Sequence, residues 1–131
     1  MGYLLDTNIV TAILKNNRKV QEKMGNLDVL GESVFLAGMT YYEIKRGLIA
    51  NGATRQLKDF QDLCQKYQVI VGDLAIFERA AQIHANLKRK GEPMEDADIL
   101  IAATAIAHNL LLVSHDSDMH RVEDLMLEDW L

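Results

Sequence analysis

Apolar residues fall along the chain in two patterns: short continuous runs, and longer stretches with helical spacing. The first run, YLLD (3–6), predicts a buried strand. NIVTAILKN (8–16) follows, with apolar residues at 9, 10, 13 and 14 on one helical face. Thr7 or Asn8 can cap that helix. NNRKVQEKMGNL continues as a more polar helix, with a break expected near Gly25 and Asn26. SVFLAG (33–38) predicts a second strand, continuously apolar as parallel strands covered on both faces are. Thr40 and Glu43 then stand in the Thr-x-x-Glu relation of a capping box, which starts a helix at 40 and lets it fray near Gly52. Residues 53–67 form a further helix with Leu57, Phe60, Leu63 and Cys64 inward. QVIVG (68–72) is a third strand. Asp73 caps a helix to 93 with 76, 77, 80, 83 and 87 inward, closed by Gly91 and Pro93. An alanine-rich helix (94–109), a fourth strand (110–116) and a short fifth (125–130), anchored by Trp130, complete the chain.

Strands alternating with helices of these lengths predict an α/β fold: one domain spanning 1–131, with a mostly parallel central sheet of four to five strands flanked by helices. The middle helices are expected to form a hairpin standing off the sheet. Ile9, Val10, Ile13 and Leu14 are expected to offer an apolar groove to a partner helix or a second subunit.

Composition narrows the class. Apolar residues make up 49% and charged residues 25% of 131, which fits a folded chain and not a disordered one. The single cysteine, Cys64, permits no internal disulfide and reads as a small buried residue. No apolar run reaches membrane-spanning length, and MGYLLD carries no basic leader, so the expected location is the cytoplasm. Acids outnumber bases 19 to 14, giving a net charge of −5. That argues against a broad non-specific DNA coat and leaves room for RNA met by a local basic rim.

The acids are spaced to meet. Ligands of open α/β sheets gather beyond the carboxyl ends of the strands. Asp6 follows the first strand, Glu43 lies at the head of the helix after the second, and Asp116 follows the fourth. The helix feeding the fourth strand opens with Glu95, Asp96 and Asp98. Asp98 shares a face with positions 102, 105 and 109, which makes it the better ligand and leaves Asp96 as a cap or supporting acid. Singly, each acid suits a turn, a cap or a helix dipole. Together, four segments bringing carboxylates to one edge call for a hard divalent cation, Mg²⁺ or Mn²⁺, held by Asp6, Glu43, Asp98 and Asp116. That set suits phosphodiester hydrolysis by metal-activated water, since no side-chain nucleophile is needed. Thr7, Asn8, Thr40 and Ser114 lie beside the acids as supporting groups or caps. Lys45 and Arg46, following Glu43 within one turn, are candidate RNA-phosphate contacts. HDSDMH (115–120) lacks the ligand spacing of a zinc site, although His115 is near enough to the edge to touch RNA.

The motifs LLDTNI, TYYEIKRG, DADILIAATA and LVSHDSDMHRV, with LEDW at the end, resemble the PIN-domain nucleases, and more closely the VapC-type toxins of bacterial toxin–antitoxin pairs. The likeness covers essentially the whole chain. It implies a Mg²⁺- or Mn²⁺-dependent endoribonuclease cutting tRNA or ribosomal RNA, a homodimer, and silencing by a cognate antitoxin protein. By motif, Asp6, Glu43, Asp98 and Asp116 match the four catalytic acids, and Thr7, Asn8 and Ser114 the small polar residues around the metal. The chain departs from the family in carrying Glu95, Asp96 and Ala97 where a Gly-, Pro- or Asn-like turn is common, Met119 for a frequent Phe, and Glu123-Asp124 for Pro-Gly. Rival readings are a DNA- or structure-specific nuclease on the same scaffold, a phosphatase built on Asp6 and lacking its second acid at Asn8, and a non-catalytic binding module.

Overall fold

The computed structural model describes residues 1–131. β1 (Gly2–Leu5), β2 (Ser33–Ala37), β3 (Gln68–Ile70), β4 (Leu111–Val113) and β5 (Leu127–Glu128) form one sheet in the order β3-β2-β1-β4-β5. Every neighbouring pair is parallel. The helices are α1 (Thr7–Leu14), α2 (Arg18–Leu30), α3 (Gly38–Ala50), α4 (Thr54–Lys66), α5 (Leu74–Lys90) and α6 (Asp96–Ala107). The expected α/β class therefore holds, with all five strands present.

Strand geometry sends successive side chains to opposite faces. Leu4 and Leu112 join one core with α5 and α6, through Ile83, Leu87, Ile101 and Ala105. Leu5 and Val113 join the other with the first four helices, through Ile9, Val20, Ile44 and Phe60. Both faces are covered, which is why the strands read as unbroken apolar runs. The chain passes from β1 outward to β2 and β3, then returns across β1 to place β4 on its other side. The strand order thus reverses between β1 and β4, and a crevice opens at their carboxyl ends.

Several boundaries differ from the sequence pattern. α2 runs through Gly25 and Asn26 without a break and stops at Gly31, a left-handed C-cap at φ 70°. Its buried seam of Val20, Met24 and Leu27 continues past Gly25, and that packing outweighs the ~1 kcal/mol disfavour of one helical glycine. α3 begins at Gly38, with Ala37 at the cap and no side-chain cap bond. Thr40 and Glu43 therefore form no capping box. Gly38 also sits close under β3: a Cβ there would stand 3.3 Å from the Ile70 carbonyl oxygen.

Phe77 is exposed, because Ile76, Ala80, Ile83 and Leu87 already complete the inward seam of α5. Cys64 is half-buried on α4, where Phe60 is the fully buried residue. Ile9 and Val10 are fully buried in the second core, so no open groove runs through Ile9, Val10, Ile13 and Leu14 together, although the edge of Leu14 lines a hollow against α3. α3 and α4 do form a hairpin, turning at Gly52 and closed by the Tyr41 and Phe60 rings 5.6 Å apart, but it packs on α1 and on β2 and β3 and does not stand off the sheet. Trp130 is buried as an anchor 6.4 Å from Tyr3, its indole N–H donating to Glu128 Oε1 at 2.7 Å.

Phe60→Ala is expected to lower the unfolding free energy by about 3–5 kcal/mol in urea titration, as loss of a fully buried aromatic does. Cys64→Ala, at a half-buried position, is expected to cost well under half of that.

Candidate active site

Asp6 is the residue immediately after β1, and its backbone N–H still donates to the Val113 carbonyl at 2.9 Å. The ladder thereby carries it one step past the strand end, into the crevice beside β4. It is 2% exposed. Its Oδ1 accepts from the Thr7 N–H at 2.7 Å and its Oδ2 from the Ser114 hydroxyl at 2.6 Å. Asp6 is therefore both the N-cap of α1 and the deepest acid of the edge.

Ser114 comes from the end of β4. Its hydroxyl donates to Asp6 and accepts from the Asp116 N–H at 3.0 Å, tying the loop after β4 to the end of β1. Asn8 Oδ1 accepts the His115 N–H at 3.1 Å and fastens the same loop to α1. Asp116 caps a short 3₁₀ turn (Ser117–Arg121), its Oδ1 accepting from Asp118 N–H at 2.9 Å. The other oxygen has no partner in that cap.

Glu43 reaches the same place from the second turn of α3. The Thr7 hydroxyl donates to its Oε1 at 2.9 Å. Thr40 Oγ1 is 3.3 Å from the same hydroxyl. One hydroxyl has one proton, so Thr7 donates over the shorter distance and the buried Thr40 hydroxyl can donate to Thr7. Starting α3 at Gly38 sets Thr40 inside the first turn, facing Thr7, and releases Glu43 from any cap.

Asp98 lies in the first turn of α6. Burial, followed by the nearby charges of Asp6, Asp116, Glu43 and Glu95, pushes its carboxyl up to about 6. Burial also holds Asp6 above the usual carboxylate range, against the lowering bonds from Ser114 and Thr7, with Asp116 and Glu43 adding repulsion. Four segments thus deliver mutually repelling carboxylates to one crevice.

None of the ion pairs in the structure engages Asp6, Glu43, Asp98 or Asp116. An all-oxygen, uncompensated set of this kind fits a hard divalent cation. No three of these groups close into a ready-made metal cage, so the fit rests on the oxygen chemistry and uncompensated charge of the set.

Asp96 stands apart. It occupies the first helical position, exposed, while Glu95 sits at the cap without a side-chain bond, so Asp96 is not the cap. Glu95, and not Asp96, is the outer acid that raises Asp98. Lys45 and Arg46 are exposed, the first 3.1 Å from the Tyr41 hydroxyl and the second 5.0 Å from the Tyr42 ring centre. Two features escaped the sequence reading. Asp129, from the segment after β5, meets His115 Nδ1 at 2.9 Å. A groove lined by Lys15, Asn51 and Gln56 also opens beside Thr7 and Glu43. Neither has a spacing signal, because each joins residues of separate segments.

A parallel α/β sheet with uncompensated acids at its switch point defines a class of α/β domain. The PIN domain model matches residues 3–125, and the chain belongs to that family. It is 26% identical to Ribonuclease VapC1 of Haemophilus influenzae, over 99% of this chain and 98% of that one. It is 28% identical to the tRNA(fMet)-specific endonuclease VapC of Shigella flexneri over the same shares. Among solved structures, VapBC-1 of nontypeable Haemophilus influenzae superposes with a TM-score of 0.86 at 26% identity, covering 99% and 98% of the two chains. VapBC2 of Rickettsia felis shares the fold at a TM-score of 0.93 and 22% identity, over the full length of both chains.

The raised Asp98 has a thermodynamic consequence. Its folded value of about 6 lies above the ordinary 3.8, so the folded chain keeps a proton that the unfolded chain has lost. This contribution to stability is fully present below about pH 4 and disappears as the pH rises through about 6. In EDTA at pH 7, Asp98→Asn is expected to be more stable than the native chain by roughly 1 kcal/mol, solvent screening at this half-buried site having trimmed the full value. At pH 4 the urea unfolding curves should coincide. Equal stabilities at pH 7 would contradict the charge clustering.

Proposed function

We propose that residues 1–131 form one nuclease domain, a divalent-metal-dependent endoribonuclease toxin held in check by a cognate antitoxin protein. The observation that carries this reading is the convergence of Asp6, Glu43, Asp98 and Asp116 on one crevice with no cation of the protein to balance them. The relatives' names support RNA as substrate, and that of the Shigella flexneri protein favours tRNA over ribosomal RNA. The likeness to VapBC-1 supports an antitoxin partner. A homodimer acting in the cytoplasm completes the reading, consistent with no helix being long and apolar enough to cross a membrane.

Asp6, Glu43, Asp98 and Asp116 would hold the metal. Mg²⁺ or Mn²⁺, when bound, supplies Lewis acidity toward the phosphodiester and lowers the pKa of water at the site. The remaining work belongs to the chain. Ser114 and Thr7 each give one hydrogen bond to Asp6, fixing the plane of its carboxylate while leaving further lone pairs free. The Thr7 hydroxyl holds Glu43, with Thr40 behind it. Asn8 locks the loop that carries Asp116. Asp96 adds negative charge at the rim without entering the crevice. Lys45 and Arg46, exposed just beyond Glu43, meet RNA phosphates.

With Mg²⁺ present, Asp6→Asn and Asp98→Asn should reduce RNA cleavage beyond the ~10–100-fold typical of losing an outer partner, and Ser114→Ala should fall within that range. Mg²⁺ should raise the melting temperature of the native chain and leave that of Asp98→Asn unmoved. Undiminished cutting by both acid variants would remove the mechanism. A clear preference for single-stranded DNA over RNA in parallel assays would transfer it to a DNA nuclease.

A further inference from the structure

Two hollows flank the acidic crevice. One, of about 130 Å³, lies on the Ser114 and Asp116 side and is walled by Glu128 and Asp129 as well. Its acids repel a polyanion. The other, of about 280 Å³, shares Thr7 and Glu43 with the crevice and runs between α1, α3 and the start of α4. Its apolar lining is Leu14, Ile44 and Leu48, while Lys15, Asn51 and Gln56 add a cation and two amides. Glu43 is the single acid among its lining residues.

Gly47 lies along this groove on α3, and a Cβ there would meet nothing within 4 Å. The hollow exists partly because that helix position carries no side chain.

We infer that this groove is a nucleotide subsite, which receives one unstacked base of the RNA next to the bond being cut. The inference rests on the ribonuclease reading and adds where the sequence is read. Single-stranded RNA is recognised by laying a base face on an apolar surface and hydrogen-bonding its edge. Leu14, Ile44 and Leu48 supply the surface. Asn51 and Gln56 each carry a donor and an acceptor, the pairing needed to tell one base edge from another. Lys15 meets a phosphate and contributes without regard to sequence. Because Thr7 and Glu43 belong to both groove and crevice, a base seated in the groove has its own phosphodiester beside the acids.

The test is cleavage of a randomised single-stranded oligoribonucleotide pool with Mg²⁺, followed by sequencing of the product ends. The native chain should show a base preference at one position beside the cut. Asn51→Ala or Gln56→Ala should flatten that preference by at least about tenfold, the discrimination one good base-edge contact provides. Gly47→Leu should fill the groove and weaken binding of a fluorescein-labelled RNA hexamer in Ca²⁺ by at least about tenfold, with the Mg²⁺-induced thermal shift preserved as evidence of an intact fold and crevice. Lys15→Ala should weaken the hexamer for all sequences alike. A native chain that cuts RNA while all the groove variants keep its end preference and affinity overturns the subsite alone and leaves the groove to a protein segment. A native chain that cuts no RNA overturns the ribonuclease reading and the subsite with it.

Discussion

A carboxylate buried where the strand order reverses is the constraint around which the rest of this structure is arranged. Asp6 is 2% exposed and faces other acids, with no lysine or arginine paired to it. Burying an unpaired charge is strongly unfavourable unless hydrogen bonds or a cation compensate it. The protein supplies two bonds, from Thr7 and Ser114, and these lower the Asp6 pKa without offsetting its burial. The residual imbalance leaves the crevice short of positive charge.

The scaffold explains how such a site can exist without unfolding the chain. The central strands, β1 and β4, contribute Leu4 and Leu112 to one core and Leu5 and Val113 to the other, so the sheet is clamped from both sides just below the crevice. Asp6 N–H bonded to Val113 and Ser114 N–H bonded to the Glu128 carbonyl extend the ladder to the residues that make the site. Acid placement therefore inherits the rigidity of the sheet. Glu43 and Asp98, arriving on helices, are held less directly. Thr7 secures the first, and the packing of α6 through Ile99, Ile101 and Ala102 secures the second.

The small polar residues around the acids act mainly by joining segments. Ser114 links β4 to β1, Asn8 links the loop after β4 to α1, and Thr7 links α1 to α3. Each bond spans a long stretch of chain, so the crevice assembles only when the sheet order is complete. The groove beside Thr7 and Glu43 shares this property, since its walls come from α1, α3 and the head of α4.

The hydrophobic pattern alone was enough to establish the alternation of strands and helices, the parallel two-sided sheet and the carboxyl-edge position of Asp6, Glu43 and Asp116, because burial on both faces leaves a continuous apolar signature and ligand edges follow strand ends. The helical phase of Asp98 was equally legible. Local signals misled where packing overruled them. Thr40 and Glu43 match a capping box, yet α3 starts at Gly38 and Thr40 turns inward to Thr7. Gly25 suggests a break, yet the seam of Val20, Met24 and Leu27 carries α2 through it. The tertiary structure alone decided that Asp6 is buried beside Ser114, that Glu95 rather than Asp96 bears on Asp98, and that Lys15, Asn51 and Gln56 share a groove. Those facts depend on distances between segments remote in sequence, and a one-dimensional pattern encodes which faces are buried but not which side chains meet across them.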